Sequence, residues 1–517
     1  VREDATNRFQ RAFRATIVDS GLGYAAQALT FFSLPLFLST LGAEGYGLMV
    51  TVLAFTGYLG FADAGLSWGS MVLIAHAHGR RDKAMIAHIT RHSIVLAAVS
   101  GLIALLALAG VLAASAAGWR LPMFAGHPEA DPLLLIAGLQ LVITLQLSVF
   151  YNVFKGIQEV YWAAFYQGLG RLLALAGAML AAWLTRSVAV VMIAQLFFVA
   201  LLGALAAVHV WRRHPWAFKE GSWWDWAQYR AQIRIGGKNF LIQIGQTLGY
   251  TAPTFAISSI LGPAAVPFYT VPVTLLSLFF TPINSWSASM QNAYGEAWVS
   301  GAIDWTRNAF RDSLERMLVL GGLGVSLFLS VGDNVIRIWT HGRLWLGPSM
   351  AASVSAFVFA VTLIKAAECL LIGLNRQRRA AVAEMANGLL SMVLVPLSVR
   401  WLGMGAVGAG AVGAVFATSV WVLRREIRAQ LGRGSFPTAM FAIRTCLAVA
   451  AAAIVGKFVG NLGDNHDLGT SLLRLLLGGL SGLTVFAAAV MALKLVPIAD
   501  AFAFGRWLKQ RVAASPV

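Results

Sequence analysis

Apolar runs of about twenty residues, the length a bilayer's hydrocarbon core demands, recur along this chain from Ile17 to Pro497. Hydrophobic residues fill 58% of 517 positions and charged ones only 12%, with a mean hydropathy of +0.72, a surface no soluble protein displays. In lipid the backbone must satisfy its own polar groups, which leaves helices or closed barrels. A barrel needs short alternating strands, whereas these runs are long and continuous. The fold class is therefore an all-α polytopic membrane protein.

Hydropathy and helix signals predict fourteen spans, near 17–40, 48–74, 91–115, 132–154, 161–184, 188–210, 238–261, 265–291, 317–338, 349–374, 380–400, 405–423, 441–460 and 475–495. They group as an N-terminal lobe of six helices (1–210), an amphipathic linker (211–237), a second six-helix lobe (238–425) and two added helices with a tail (426–517). An even number of spans leaves both termini on one side. If that side is cytoplasmic, its segments hold 28 Lys and Arg against 7 opposite, the bias that orients membrane proteins. The net charge of +17 then reads as orientation and attraction to anionic lipid heads. The basic residues are scattered over short loops with no soluble module to hold them, which argues against nucleic acid as a partner. The charged start, VREDATNRFQRAFRAT, has no cleavable signal pattern, so the first span is expected to remain as a helix.

Two stretches repeat. LGAEGYGLMVTVLAFTGYLGFADAGL begins at Leu41, and LGPAAVPFYTVPVTLLSLFFTPINSWSASMQNAYGEAW begins at Leu261. In each a Leu-Gly turn leads into a Tyr-bearing helix, and a short basic loop follows with Gly79 to Asp82 matching Gly301 to Asp304. This implies a duplication with two halves around a central path. In the linker, Trp211, Trp216, Trp223, Trp224 and Trp226 stand beside Arg212, Arg213, Arg230 and Arg234, the composition of a segment lying in the interface.

Polar residues inside the spans form stripes. Asp19, Gly23, Gln27 and Thr30 share one side of the first helix; Thr56, Gly60, Asp63, Ser67 and Ser70 share one side of the second. Asn239, Gln243, Gln246 and Tyr250 align in the seventh, and Thr270, Thr274, Ser277, Thr281, Asn284 and Gln291 mark the eighth. For one Ser or Thr, hydrogen bonding between helices is explanation enough; four long stripes in corresponding places point to a hydrated cavity. Charges within spans need a partner or a wet surface. Arg171 has Gln167 one turn before it and no acid in its own helix, so it must seek Asp19, Asp63, water or an anionic ligand. Lys365 and Glu368 are spaced to pair, either to hold the bundle or to serve a ligand. Pro35, Pro253, Pro267, Pro272, Pro282 and Pro396 supply bends.

Other chemistry is excluded by what is missing. There is no GxxxxGK[ST] phosphate loop, so the chain does not hydrolyse ATP itself. His76, His78, His88 and His92 lie together with no Cys and no acidic ligand set, which reads as a solvated loop, so no metal is expected. Cys369 and Cys446 fall in apolar helices as small core residues. Outer loops are short, which disfavours a membrane glycosyltransferase or glycan polymerase.

LGAEGYGLMVTVLAFTGYLGFADAGLSWG followed by HGRRDKAMIAHITRH, with MQNAYGEAW and RDSLERM later, resembles bacterial polysaccharide-export flippases of the Wzx type. Those belong to the superfamily that includes multidrug MATE exporters and the lipid II flippase. The resemblance implies an inner-membrane protein of two six-helix lobes that moves an undecaprenyl-diphosphate-linked oligosaccharide to the periplasmic leaflet. It also implies a hydrophilic central cavity, membrane lipids and polysaccharide polymerase or export machinery as partners, and no catalytic residue or cofactor. On that reading Arg171 and Lys365 attract the diphosphate, and Gln27, Gln243, Tyr250 and Asn284 line the cavity. Asp19 and Asp63 either balance those cations or couple transport to protons or sodium, and Glu368 balances charge. The rival within the same fold is a cation-coupled drug exporter using Asp19 or Asp63.

Overall fold

A backbone surrounded by lipid has no water to bond with, and this chain meets that demand with helices. The computed structural model describes residues 2–124, 126–219, 223, 225–299, 301–344, 347–461 and 468–495, and no strand occurs among them. The helices are α1 (Arg2–Leu59), α2 (Leu66–Gly79), α3 (Lys83–Ala116), α4 (Ala130–Gly156), α5 (Val160–Thr185), α6 (Val188–Arg213) and α7 (Trp226–Leu261). There follow α8 (Pro267–Val299), α9 (Ile303–Trp339), α10 (Pro348–Gly373), α11 (Gln377–Leu402), α12 (Val407–Val415), α13 (Trp421–Leu431), α14 (Ala439–Gly460) and α15 (Leu468–Ala492). A π-helical turn, Phe416–Val420, joins α12 to α13.

Among the described residues twelve helical stretches are long and apolar enough to cross a membrane. The chain is a multi-pass membrane protein. The first expected span and most of the second fall within one stretch, Gly21–Asp63, because α1 runs through its bend at Gly42. The seventh expected span, α7, is absent from the twelve; its row of amide side chains lowers its hydropathy.

The Leu-Gly repeat has a backbone basis. Gly42 sits at φ 75°, ψ 171° and Gly262 at φ 87°, ψ 162°, a conformation essentially closed to residues with a Cβ. A third copy, Leu402-Gly403, adopts φ 80°, ψ 179° before α12. A Cβ at any of the three would touch nothing within 4 Å, so the backbone angles, not crowding, demand glycine.

The chain divides into two compact units, Val1–Tyr269 with Ala381–Arg400, and Thr270–Ala380 with Trp401–Val517. The first unit holds α1 to α7 and most of α11. Its core joins Phe37, Leu48 and Val52 of α1 to Leu108, Leu133, Ala137, Ala178 and Met192 of α3 to α6, and a second cluster joins Ile74, Ile89, Phe154, Ala163 and Val210. Backbones meet closely where α7 docks. A Cβ on Gly69 would collide with the Gln232 carbonyl, one on Gly236 with the Gly65 carbonyl, and one on Gly245 with the backbone of Glu384 in α11. In the second unit α14 and α15 pack on α9 through Val319, Ala448, Ala452 and Phe486, and Ser330 Oγ donates to the Ala452 carbonyl at 3.3 Å.

Candidate functional site

Asp63 lies in a break in a membrane helix. A 3-10 turn, Gly60–Asp63, ends in left-handed Ala64 and Gly65 before α2 resumes. The carboxylate closes the break: Oδ1 accepts from Ser67 Oγ at 2.8 Å and Oδ2 from the Ser67 N–H at 3.3 Å, so it stands where a helix N-terminus favours negative charge. Ser67 Oγ also meets Ser148 Oγ at 3.2 Å, and Asn152 Nδ2 donates to the Ser67 carbonyl at 3.1 Å. These bonds tie α2 to α4. Among the described residues Asp63 makes no ion pair.

Arg171 occupies the middle of α5 on its packing face. It shares the helical row of Ala164, Gly168, Ala174, Ala178 and Ala182, all buried, yet is itself exposed. Thr144 does the same on α4, exposed within the row of buried Leu133, Ala137 and Tyr151. The two lie at nearly equal chain distances from Gln158, on antiparallel neighbours, and so at similar depth. Gln140, one turn from Thr144, has a buried Oε1 without a hydrogen-bond partner among the described residues. Arg171 and Thr144 thus stand exposed among buried neighbours at mid-helix. Arg171 Nε donates to the Gln167 carbonyl at 3.3 Å. Gln27 of α1 is half-buried. The side chain of Asp19 lies outside the described residues.

The seventh-helix stripe is longer than its sequence signature. With 3.6 residues per turn, Gln228, Gln232, Asn239, Gln243, Gln246 and Tyr250 fall within an arc of about 60°. Gln243 is exposed and Tyr250 is 49% exposed, whereas Gln228 and Gln232 are buried. The sequence reading placed these last two in the linker; continuing the row backwards past Lys238 would have found them. A second missed stripe lies on α11, where Glu384, Asn387 and Ser391 are all buried at i, i+3 and i+7. Nearby, Tyr58 OH and Thr251 Oγ1 are 2.5 Å apart, and the Tyr58 ring stacks on Phe255.

The linker is folded onto α3. Arg91 donates to the Phe218 carbonyl at 2.8 and 2.6 Å and lies 4.9 Å from the Trp223 ring centroid; Lys83 lies over Trp216. His88 Nε2 is 3.0 Å from Asp225 Oδ2. That bond, with the Ala227 N–H that Asp225 accepts as helix cap, holds the Asp225 carboxyl below the usual carboxylate range. Trp224 lies outside the described residues. Trp211 and Trp226 remain exposed.

In the second unit Lys365 Nζ meets Glu368 Oε2 at 3.5 Å, with the Lys side chain 39% exposed and the Glu 1%. Asn284 is exposed on α8. The neighbouring hydroxyls are largely spent on their own helix: Thr274 donates to the Thr270 carbonyl, Ser277 to Thr274 and Thr281 to Ser277. Gln27, Asp63, Arg171, Gln243 and Tyr250 fall in the first unit and Asn284, Lys365 and Glu368 in the second.

The fold is shared with known transporters. The solved structure titled lipid II flippase MurJ, inward closed conformation, superposes with a TM-score of 0.69 at 12% identity, covering 92% of this chain and 99% of that one. A multidrug resistance MATE family transporter of the MOP superfamily matches in its inward-facing conformation with a TM-score of 0.62 at 18% identity, over 78% of this chain and 95% of that one. An outward-facing conformation of such a transporter gives 0.57 at 17%, over 82% and 96%. No curated protein matches. Residues 13–288 match the family described as polysaccharide biosynthesis protein. That match spans more than half of the sequence, and the chain belongs to the polysaccharide biosynthesis protein family.

Proposed function

We propose that this protein flips an undecaprenyl-diphosphate-linked oligosaccharide, an exopolysaccharide or O-antigen repeat unit, from the cytoplasmic to the periplasmic leaflet of a bacterial inner membrane by alternating access. The observation that carries the reading is membership of the polysaccharide biosynthesis family on a fold shared with a lipid II flippase. Flipping breaks no covalent bond, so side chains need only bind, orient and release the headgroup. Arg171, exposed at mid-helix on a packing face, and Lys365, half-exposed beside Glu368, would meet the diphosphate. A guanidinium suits that ligand, since its fork of donors matches phosphate oxygens. Gln27, Gln243, Tyr250 and Asn284 would contact sugar hydroxyls. Asp63, and Asp19 with it, would couple the cycle to protons or sodium, and polymerase or export machinery would take the product.

Replacing Arg171 or Lys365 with Ala in cells should abolish surface glycan while the protein stays in the membrane; undiminished glycan in both variants refutes their role. A second reading has support of its own: the MATE fold match and the Asp63 carboxylate, which makes no ion pair among the described residues, suit a cation-coupled drug exporter. A knockout that becomes drug-sensitive with its surface glycan intact favours that reading instead.

A further inference from the structure

On α7, five amides and one phenol share a single arc, and no Arg or Lys shares it; Arg234 and Lys238 stand about a quarter turn or more away. Three of the five amides carry a buried atom without a hydrogen-bond partner among the described residues: Gln228 Nε2, Gln232 Oε1 and Asn239 Oδ1. Gln228 is 8% exposed and Gln232 0%. Gln232 spends its Nε2 on Ser93 Oγ at 3.3 Å, and Ser93 in turn donates to Ser70 Oγ at 2.8 Å, so α3 and α2 cover the lower part of the stripe. Stranding donors and acceptors is costly. Evolutionarily cheaper apolar side chains would close this contact as well, unless the amides are paired in another step of the cycle.

We propose that the α7 stripe is a saccharide ladder, and that Gln228, Gln232 and Asn239 are its lower rungs, taking uncharged, hydroxyl-rich sugar when α2 and α3 move off them. An amide offers donors and an acceptor in one plane, and a sugar hydroxyl is both donor and acceptor. An anionic group would be read by cations, which the arc lacks. The ladder descends from exposed Tyr250 and Gln243 to the end of α7 that the basic segments place at the cytoplasm, the side from which a headgroup loads. This rests on the flipping reading and extends it to the class of sugar and to Gln228 and Gln232, which lie outside the stripes already named.

The test uses the purified full chain in vesicles, with polyprenyl diphosphate carrying either a neutral tetrasaccharide or a single N-acetylglucosamine. Gln232→Met and Gln228→Met keep side-chain length without hydrogen bonds, and Asn239→Leu does the same higher up; melting temperatures verify that each variant is folded. The ladder predicts that tetrasaccharide flipping falls at least about tenfold while the single-sugar lipid is moved within about twofold of the parent rate. Equal slowing of both lipids, with a raised melting temperature, would mean that the stripe only sets the balance of conformations, and overturns the proposal. Unchanged flipping overturns it too. If the unmodified protein moves neither lipid, the flipping reading itself fails and the ladder with it.

Discussion

A single ionised group inside a membrane decides more than its size suggests, because desolvation must be repaid by named partners. Asp63 is repaid by Ser67 and by the start of α2, and Arg171 donates to the Gln167 carbonyl. Both residues were legible as charges within membrane spans; what each faces was not. Outside the membrane, Glu159 at the α4–α5 turn shows the same contest. Burial pushes its carboxyl up, but the His214 hydrogen bond and the charges of His214 and Arg213 outweigh it, leaving it below the usual glutamate range. Arg213 Nε and His214 Nε2 each lie 3.2 Å away. A depressed carboxylate stabilises the fold above its unfolded pKa, about 4.3, and that stabilisation is lost as pH falls through the folded value. The melting temperature should therefore drop on acidification below about pH 5, and Glu159→Gln should be less stable at neutral pH and flatter in acid. A variant that melts like the parent at every pH would show that these contacts contribute nothing.

At the scale of the helix, α7 teaches the most. Spacing revealed Asn239, Gln243, Gln246 and Tyr250, while Gln228 and Gln232 hid in a stretch whose Trp and Arg content reads as interfacial. Their burial depends on glycines elsewhere in sequence, Gly65, Gly69 and Gly236, which let two backbones meet. The same holds for Glu384 and Asn387, buried only because Gly245 and Gly388 bring α11 onto α7. Gly69→Ala or Gly236→Ala must push α2 and α7 apart, since the obstacles are backbone atoms. Overpacking of this kind costs about 1–3 kcal/mol, which thermal unfolding of the purified protein should register as a lowered midpoint. Gly79→Ala, with nothing within 4 Å of the new methyl, is the control expected to be neutral. Equal midpoints in all three would mean that the α2–α7 approach is looser than described.

For the molecule as a whole, the basic residues argue that both ends of the chain face the cytoplasm. After Cys369 and Cys446, both free thiols, are replaced by Ser, a new Cys in place of Glu129 should react with an impermeant thiol reagent in intact spheroplasts. One in place of Asp82 should react only after permeabilisation. The reverse pattern would invert the topology and with it the direction of loading proposed above.

Hydropathy alone determined that this chain lives in a bilayer as helices, since no other use of twenty-residue apolar runs satisfies the backbone. Charge bias set the expected orientation, and the Leu-Gly repeats marked turns whose φ and ψ exclude other residues. Only the tertiary structure decided that α7 and most of α11 belong with the first six helices, and which side chains are covered. The reason is that periodicity reports a helix's own faces, whereas burial depends on how closely a distant backbone can approach.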